Sequence, residues 1–167
     1  RTAKDWLALL EQSFIIRLLR PYHHNYGKRL IKTPKLYFED TGLACSLLGI
    51  DTAEDLIMSS YRGALFENTV VCEFTKEALS QGKVPDFYFW RDSDGREIDL
   101  IVDKAGTIQR AVEVKASSTY DPKSFSTLDK LGDELGIPIS AREVVYSGDL
   151  SMETKHGLIR AFADLCE

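Results

Sequence analysis

The sequence predicts a mixed α/β domain, on two observations. A long amphipathic helical pattern runs from Arg62 to Ser80, and three short strand patterns follow it, joined by tight turns. The chain has 167 residues, 44% hydrophobic and 28% charged, which suits a soluble globular fold and excludes a disordered chain.

Taken in order, Thr2 is placed to cap a helix running to about Leu19, with Trp6, Leu9, Leu10, Phe14 and Leu18 on its apolar side. A basic, aromatic-rich β-ribbon with a turn at Gly27 comes next and ends at Leu36-Tyr37-Phe38. Asp40 or Thr41 caps a short helix through about Leu48, closed by Gly49, and Thr52 to Met58 is a second short helix. In the Arg62–Ser80 helix, Ala64, Leu65, Val70, Val71, Phe74, Ala78 and Leu79 form the apolar side, with Ser80 and Gly82 as stop signals. Phe87–Trp90 is a strand. Asp92-Ser93-Asp94-Gly95 turns it into Glu97–Val102, and Ala105-Gly106 turns that strand into Thr107–Lys115. A helix over Lys123–Leu135, ended by Gly136 and Pro138, a strand over Ala141–Tyr146 and a helix over Lys155–Leu165 complete the chain.

Charge and cysteine usage narrow the class. The chain carries a formal charge of −5, yet Ile15 to Phe38 holds six basic residues (Arg17, Arg20, Lys28, Arg29, Lys32, Lys35) and no acid. Lys28, Arg29, Lys32 and Lys35 on such a ribbon could contact a nucleic-acid backbone; a solvated loop or a protein contact is the competing reading. Cys45, Cys72 and Cys166 are odd in number and widely spaced, as in reduced thiols of a cytoplasmic protein. No apolar run reaches membrane-spanning length and no signal peptide is visible, so no membrane partner is expected. His23, His24 and His156 have neither zinc spacing nor a triad arrangement. The chain opens inside a helical pattern without an initiator methionine, which is expected of a fragment of a longer protein.

Four residues carry the chemical signal. Strand alternation puts Ile98, Leu100 and Val102 on one face and Glu97, Asp99 and Ile101 on the other. In the next strand, Ala111, Glu113 and Lys115 share a face. Paired in register, Asp99, Glu113 and Lys115 line one surface, which is either a functional site or the solvated face of a half-buried sheet. Glu67 lies three and four residues before Val70 and Val71, on the packed side of its helix. A carboxylate there needs a metal, a lysine or an arginine as partner. A structural ion pair with Lys115 or Arg96 is the alternative.

The helix–strand–strand order with Glu67, Asp99 and Glu113-x-Lys115 resembles the PD-(D/E)xK nuclease superfamily, the fold of restriction endonucleases and Holliday-junction resolvases. More narrowly, five phrases are similar to a widespread prokaryotic family of predicted AAA-type ATPases. They are Lys32-Thr33-Pro34-Lys35-Leu36-Tyr37-Phe38-Glu39-Asp40-Thr41-Gly42-Leu43, Gly63-Ala64-Leu65-Phe66-Glu67-Asn68, Tyr88-Phe89-Trp90-Arg91, Glu97-Ile98-Asp99-Leu100 and Val112-Glu113-Val114-Lys115. In that family an ATPase is followed by a winged-helix segment and a nuclease-like domain of unknown function.

The resemblance implies a restriction-endonuclease-like core, a mixed sheet flanked by helices, over residues 51–167. A partial winged helix, the helix plus the basic ribbon, would precede it over residues 1–50. It further implies Glu67, Asp99, Glu113 and Lys115 as catalytic residues. Mg2+ or Mn2+ would be held by Asp99, Glu113, the Val114 backbone carbonyl and Glu67. Ile98 stands where the superfamily label has proline, a position that supplies no metal ligand. The ATPase itself is absent: no G-x-x-x-x-G-K-[ST] loop exists, and Gly27-Lys28-Arg29 lacks the leading glycine and the hydroxyl residue. The implied activity is metal-dependent hydrolysis of phosphodiesters, with DNA as partner, in a module attached to an AAA-type ATPase. The alternatives are an inactive nucleic-acid- or protein-binding module and a structural regulator of that ATPase. For DNA cleavage the site needs a basic edge, for which Arg62, Arg91, Arg96, Lys123 and Lys130 are the candidates.

Overall fold

The computed structural model describes residues 2–22 and 33–165 and shows a mixed α/β fold built on an eight-stranded sheet. Thr2 caps α1 (Ala3–Gln12) through a reciprocal capping box with Asp5. Then come β1 (Ile16–Pro21), β2 (Lys35–Phe38), α2 (Thr41–Leu47), α3 (Ala53–Met58) and α4 (Arg62–Ser80). The second half holds β3 (Phe87–Arg91), β4 (Glu97–Lys104), β5 (Thr107–Lys115), α5 (Ser126–Leu135), β6 (Arg142–Tyr146), β7 (Met152–Thr154) and β8 (Gly157–Ala161). Among the described residues no helix is long and apolar enough to cross a membrane, and Cys45 and Cys72 are free thiols.

The sheet order is β2-β1-β3-β4-β5-β6-β8-β7. Its centre is the expected antiparallel meander β3–β4–β5, because the Asp94-Gly95 and Ala105-Gly106 turns leave little chain for any other connection. β6 joins β5 in parallel after the α5 crossover, β8 joins β6 in parallel, and β7 pairs antiparallel with β8. On the opposite side β1 runs parallel to β3 through Arg20–Tyr88 and Pro21–Phe89, with β2 antiparallel to it at the edge.

Both faces of the sheet are covered, so the charged residues of β4 and β5 do not sit on an open, solvated face. Val70, Val71 and Phe74 of α4 pack with Leu19, Phe89, Leu100, Val112 and Val145 on one side. Leu128 and Leu131 of α5 pack with Trp90, Ile98, Ile101, Ala111, Val144 and Ile159 on the other.

Three expectations need correction. The first helix stops at Gln12 rather than about Leu19, because Phe14 adopts a left-handed φ of 56° that no helix continues through. Ile16 and Leu19, which extend its apolar pattern, are buried as strand residues instead. The closing helix over Lys155–Leu165 is β8 followed by a 3-10 turn over Phe162–Leu165. The alternation Gly157-Leu158-Ile159-Arg160-Ala161, tightly buried at every second position, wins over the helical reading. Finally, Ile98, Leu100 and Val102 do not share a face. Between Ile98 and Ile101, β4 advances three residues while β3 advances two from Trp90 to Tyr88, a bulge that puts Ile98 and Ile101 in one layer and Leu100 in the other.

The boundary expected at residue 50 runs through a continuous sheet, since β1 and β2 lie beside β3 and Tyr37 belongs to the core under α4. The basic ribbon tip with Lys28, Arg29 and Lys32 lies outside the described residues.

Gly157 opens β8 at φ 138°, and a Cβ there would stand 2.3 Å from the Arg142 carbonyl oxygen of the neighbouring strand. Gly157→Ala is therefore expected to destabilise the fold by about 3 kcal/mol or more, from backbone strain and overpacking together. Chemical denaturation measures it, and a loss under about 1 kcal/mol would show that the β6–β8 contact yields easily.

Candidate functional site

Three strands and one helix bring a knot of charges together. β2 presents Lys35 and Tyr37, α4 presents Glu67, β4 presents Glu97 and Asp99, and β5 presents Glu113 and Lys115. Leu100 pairs with Val112 across β4 and β5, and the same register carried one step further brings Asp99 level with Glu113. The bulge in β4 falls at this level and re-aims the strand beside the site.

Lys35 Nζ is the hub. It lies 2.5 Å from Glu67 Oε1, 2.6 Å from Glu97 Oε1 and 3.6 Å from Asp99 Oδ1. Tyr37 donates its hydroxyl proton to the same Glu67 oxygen at 2.5 Å. Asp99 accepts the backbone N–H of Val114 at 2.8 Å, and Lys115 donates to Glu113 Oε1 at 2.5 Å. The other oxygen of Glu113, Oε2, is buried and has no hydrogen-bond partner.

The electrostatics follow from burial and crowding. Desolvation, then repulsion from Glu113 and Glu67, pushes the Asp99 carboxyl up to about 7, against the pull of Lys35 and the Val114 N–H. Burial also raises Glu113; Lys115 opposes the rise, and Glu97 and Glu67 add to it. Burial disfavours the charged ammonium of Lys35, but Glu67 and Asp99 outweigh it and leave its pKa above the ordinary lysine value. Lys115 behaves likewise, with Glu113 as its main counter-charge. Burial and the neighbouring Glu67 hold the Tyr37 phenol protonated well beyond the ordinary range. Four carboxylates thus face two ammoniums, with Arg91 on the outer oxygen of Glu97 at 2.6 Å.

Glu67, Asp99, Glu113 and Lys115, the residues singled out in the sequence, all belong to this neighbourhood. Val114 contributes its N–H to Asp99. Lys35 is placed among the carboxylates rather than on a free basic ribbon. Lys35 and Tyr37 are the participants that local pattern did not assign to the site, whereas Glu97 lies on the strand face that alternation gives to Asp99. The alternation Lys35-Leu36-Tyr37-Phe38 does set two polar ends on one side of a strand, but only the pairing of β1 with β3 carries them to α4. Of the candidate basic edge, Arg62 donates to the Ala116 carbonyl at 2.9 Å, just past Lys115, and Arg91 holds Glu97. Arg96 turns away to Asp92 and Glu134.

A divalent ion fits this donor set in a limited sense. Among the described residues no three His, Cys, Asp or Glu side chains form a ready cage. What is present is the pair Asp99 and Glu113, with a buried Glu113 oxygen left without a partner. Mg2+ needs only one or two carboxylates because it keeps several of its waters.

Fold and site together define a mixed α/β domain with a buried carboxylate–lysine cluster between its central strands and one helix. The chain belongs to the family described as Domain of unknown function (DUF4143), whose model matches residues 62–163. A second family model, also a Domain of unknown function (DUF8612), matches residues 1–54. Among curated proteins the chain is similar to uncharacterized protein Rv2008c of Mycobacterium tuberculosis and uncharacterized protein Mb2031c of Mycobacterium bovis. Each is 36% identical over 119 residues, covering 71% of this chain and 26% of the relative. The matched part therefore amounts to about a quarter of the length of these relatives. No solved structure matches the chain.

Proposed function

We propose that this chain is a metal-dependent phosphodiesterase module of the nuclease type, acting on DNA within a longer protein that carries an AAA-type ATPase. The observation that carries the reading is the buried pair Asp99 and Glu113, both pushed toward the neutral form by burial and then by neighbouring carboxylates, with one Glu113 oxygen unsatisfied and two lysine ammoniums lying where a cation is needed. The fold proposal goes with it. The β3–β5 meander and α4 form a restriction-endonuclease-like core whose sheet β1 and β2 extend, and the basic residues Lys28, Arg29 and Lys32 contact nucleic acid.

Asp99 and Glu113 would hold Mg2+ or Mn2+, with Glu67 and the Val114 carbonyl as the further ligands the resemblance implies. The bound ion would polarise a phosphate oxygen and acidify a water. Lys115 keeps its proton at neutral pH, because Glu113, Asp99 and Glu67 together outweigh its burial. It therefore stabilises negative charge developing on the phosphoryl oxygens rather than acting as a base. The Val114 N–H fixes the orientation of Asp99, and Tyr37 does the same for Glu67. Lys35 neutralises the carboxylates until a divalent ion and a phosphate arrive.

Calorimetric titration with Mn2+, paired with cleavage of single- and double-stranded DNA, tests the reading. Lys115→Ala is expected to cut cleavage by at least 100-fold and leave Mn2+ binding largely intact, whereas Asp99→Ala abolishes both. The second reading, a structural regulator of an ATPase, is favoured by the seating of Lys35 between Glu67 and Glu97. It prevails if the protein neither binds Mn2+ nor cuts any substrate and Asp99→Ala only lowers the melting temperature.

A further inference from the structure

A cavity of about 260 Å³ opens directly off the carboxylate cluster, between β2, α2 and the start of α4. Lys35 and Glu67 belong to both, so whatever fills the cavity stands beside whatever reaches Asp99. The rest of its wall is largely apolar: Leu65 at the base, Ala64 on the rim, and Leu48 and Tyr61 at the mouth. Tyr61 is 53% exposed and Leu48 44% exposed, so both present apolar surface to solvent at the mouth. The one amide in the wall, Asn68, is committed to the backbone of Phe38 through both its oxygen and its nitrogen.

We propose that this cavity takes one unpaired nucleobase of the substrate strand, next to the phosphate that is cut; this rests on the phosphodiesterase reading and names its substrate as single-stranded nucleic acid. The size argues for one ring system, since pockets for drug-sized ligands run from about 300 to 1,000 Å³. The chemistry argues for a base. It has flat apolar faces that suit Tyr61 and Leu48, and it is linked covalently to the phosphate that the neighbouring cluster requires. A wall without a free amide recognises it by stacking rather than by edge hydrogen bonds, so cleavage tolerates any base at this position. A base held in duplex DNA cannot enter a side cavity without leaving its stack, so paired substrates are disfavoured.

Ala64→Trp fills the cavity from an exposed rim position, and Tyr61→Ala removes the stacking face. The measurement is binding of a fluorescent single-stranded 12-mer carrying one 2-aminopurine, in EDTA and in Ca2+, against the same sequence as a blunt duplex. Wild-type protein is expected to prefer the single strand at least tenfold in one or both buffers, and each variant to lose about tenfold or more of that binding. The thermal shift produced by Mn2+ should be the same in Ala64→Trp as in wild type. Equal affinity for single strand and duplex, or single-strand binding unchanged in both variants, overturns the proposal even when the Mn2+ shift is intact. If Mn2+ produces no shift in wild type while Ala64→Trp still abolishes single-strand preference, the cavity assignment stands and the metal-dependent reading falls.

Discussion

Lys35→Met is expected to lower the melting temperature of the metal-free protein by roughly 10 °C, and Mn2+ to restore most of the loss. Methionine keeps the length and apolar body of the side chain but removes the charge that Glu67, Glu97 and Asp99 share. Lys35 and all three carboxylates are largely shielded from water, with side-chain exposures of 14 to 21%. Removing one partner from such a group leaves uncompensated buried charge, at a cost of about 3 kcal/mol or more. For a chain of this size each kcal/mol moves the midpoint by about 2–4 °C. The pKa of Lys35 is raised, so its contribution is fully present below 10.5 and fades only as pH rises through the higher folded value. Asp99 titrates near 7 and loses the pull of Lys35 in the variant, so the difference between wild type and variant grows as pH rises from 7 toward 9. A divalent ion binding the same carboxylates in the folded state alone recovers stability by mass action. An equal Mn2+ shift in wild type and variant would separate the ammonium from the cation's place.

Asp99→Asn should move stability the other way. Burial and the nearby Glu113 and Glu67 hold the Asp99 carboxyl at about 7, against 3.8 for an ordinary aspartate. A group raised in this way costs nothing below pH 3.8, where both states are protonated. The unfolded chain gains by ionising as pH climbs, and the loss is complete once pH passes the folded value. The gap of about three pKa units corresponds to roughly 4 kcal/mol at most, since one unit is about 1.36 kcal/mol. Glu113, raised by the same burial, adds a loss of the same sign in the wild type, while Lys35 and Lys115 restrain both groups. Asparagine can still accept the Val114 N–H without carrying charge. Metal-free Asp99→Asn is therefore expected to melt above wild type at pH 8, by a margin that shrinks toward pH 4, and to show no Mn2+ shift. A variant that melts below wild type at pH 8 would mean that Lys35 needs the Asp99 charge more than the other carboxylates resist it. That outcome favours the structural reading of the cluster.

The parts legible in the sequence share a physical property: their signals are local. The α4 boundaries at Arg62 and Ser80 follow from five turns of one periodic pattern, and the β3–β5 meander follows from two glycine-containing turns. The misreadings come from competition over longer distances. Ile16 and Leu19 continue the apolar spacing of α1, and only the burial available beside β3 and beneath α4 makes them strand. Leu158 to Leu165 fits a helical pattern as well as a strand until the parallel partner β6 is present. Within the site, Asp99, Glu113 and Lys115 are near neighbours by strand pairing, so their grouping can be read from two segments. Lys35 meets Glu67 across 32 residues of sequence, and the β4 bulge depends on the match with β3; neither leaves a mark in local spacing.

The two family matches divide the chain near residues 54 and 62, yet the ammonium at the hub of the cluster comes from the first segment and every carboxylate around it from the second. Exchange of the leading segment between related proteins is therefore not neutral for the trailing one. A hybrid whose second strand offers an uncharged residue at position 35 inherits Glu67 and Asp99 without the ammonium they share, and on the metal-binding proposal its folding comes to depend on the divalent ions in its surroundings. On that proposal, segment inheritance, with no change among the acids themselves, is enough to set how much of such a protein is folded when magnesium is scarce.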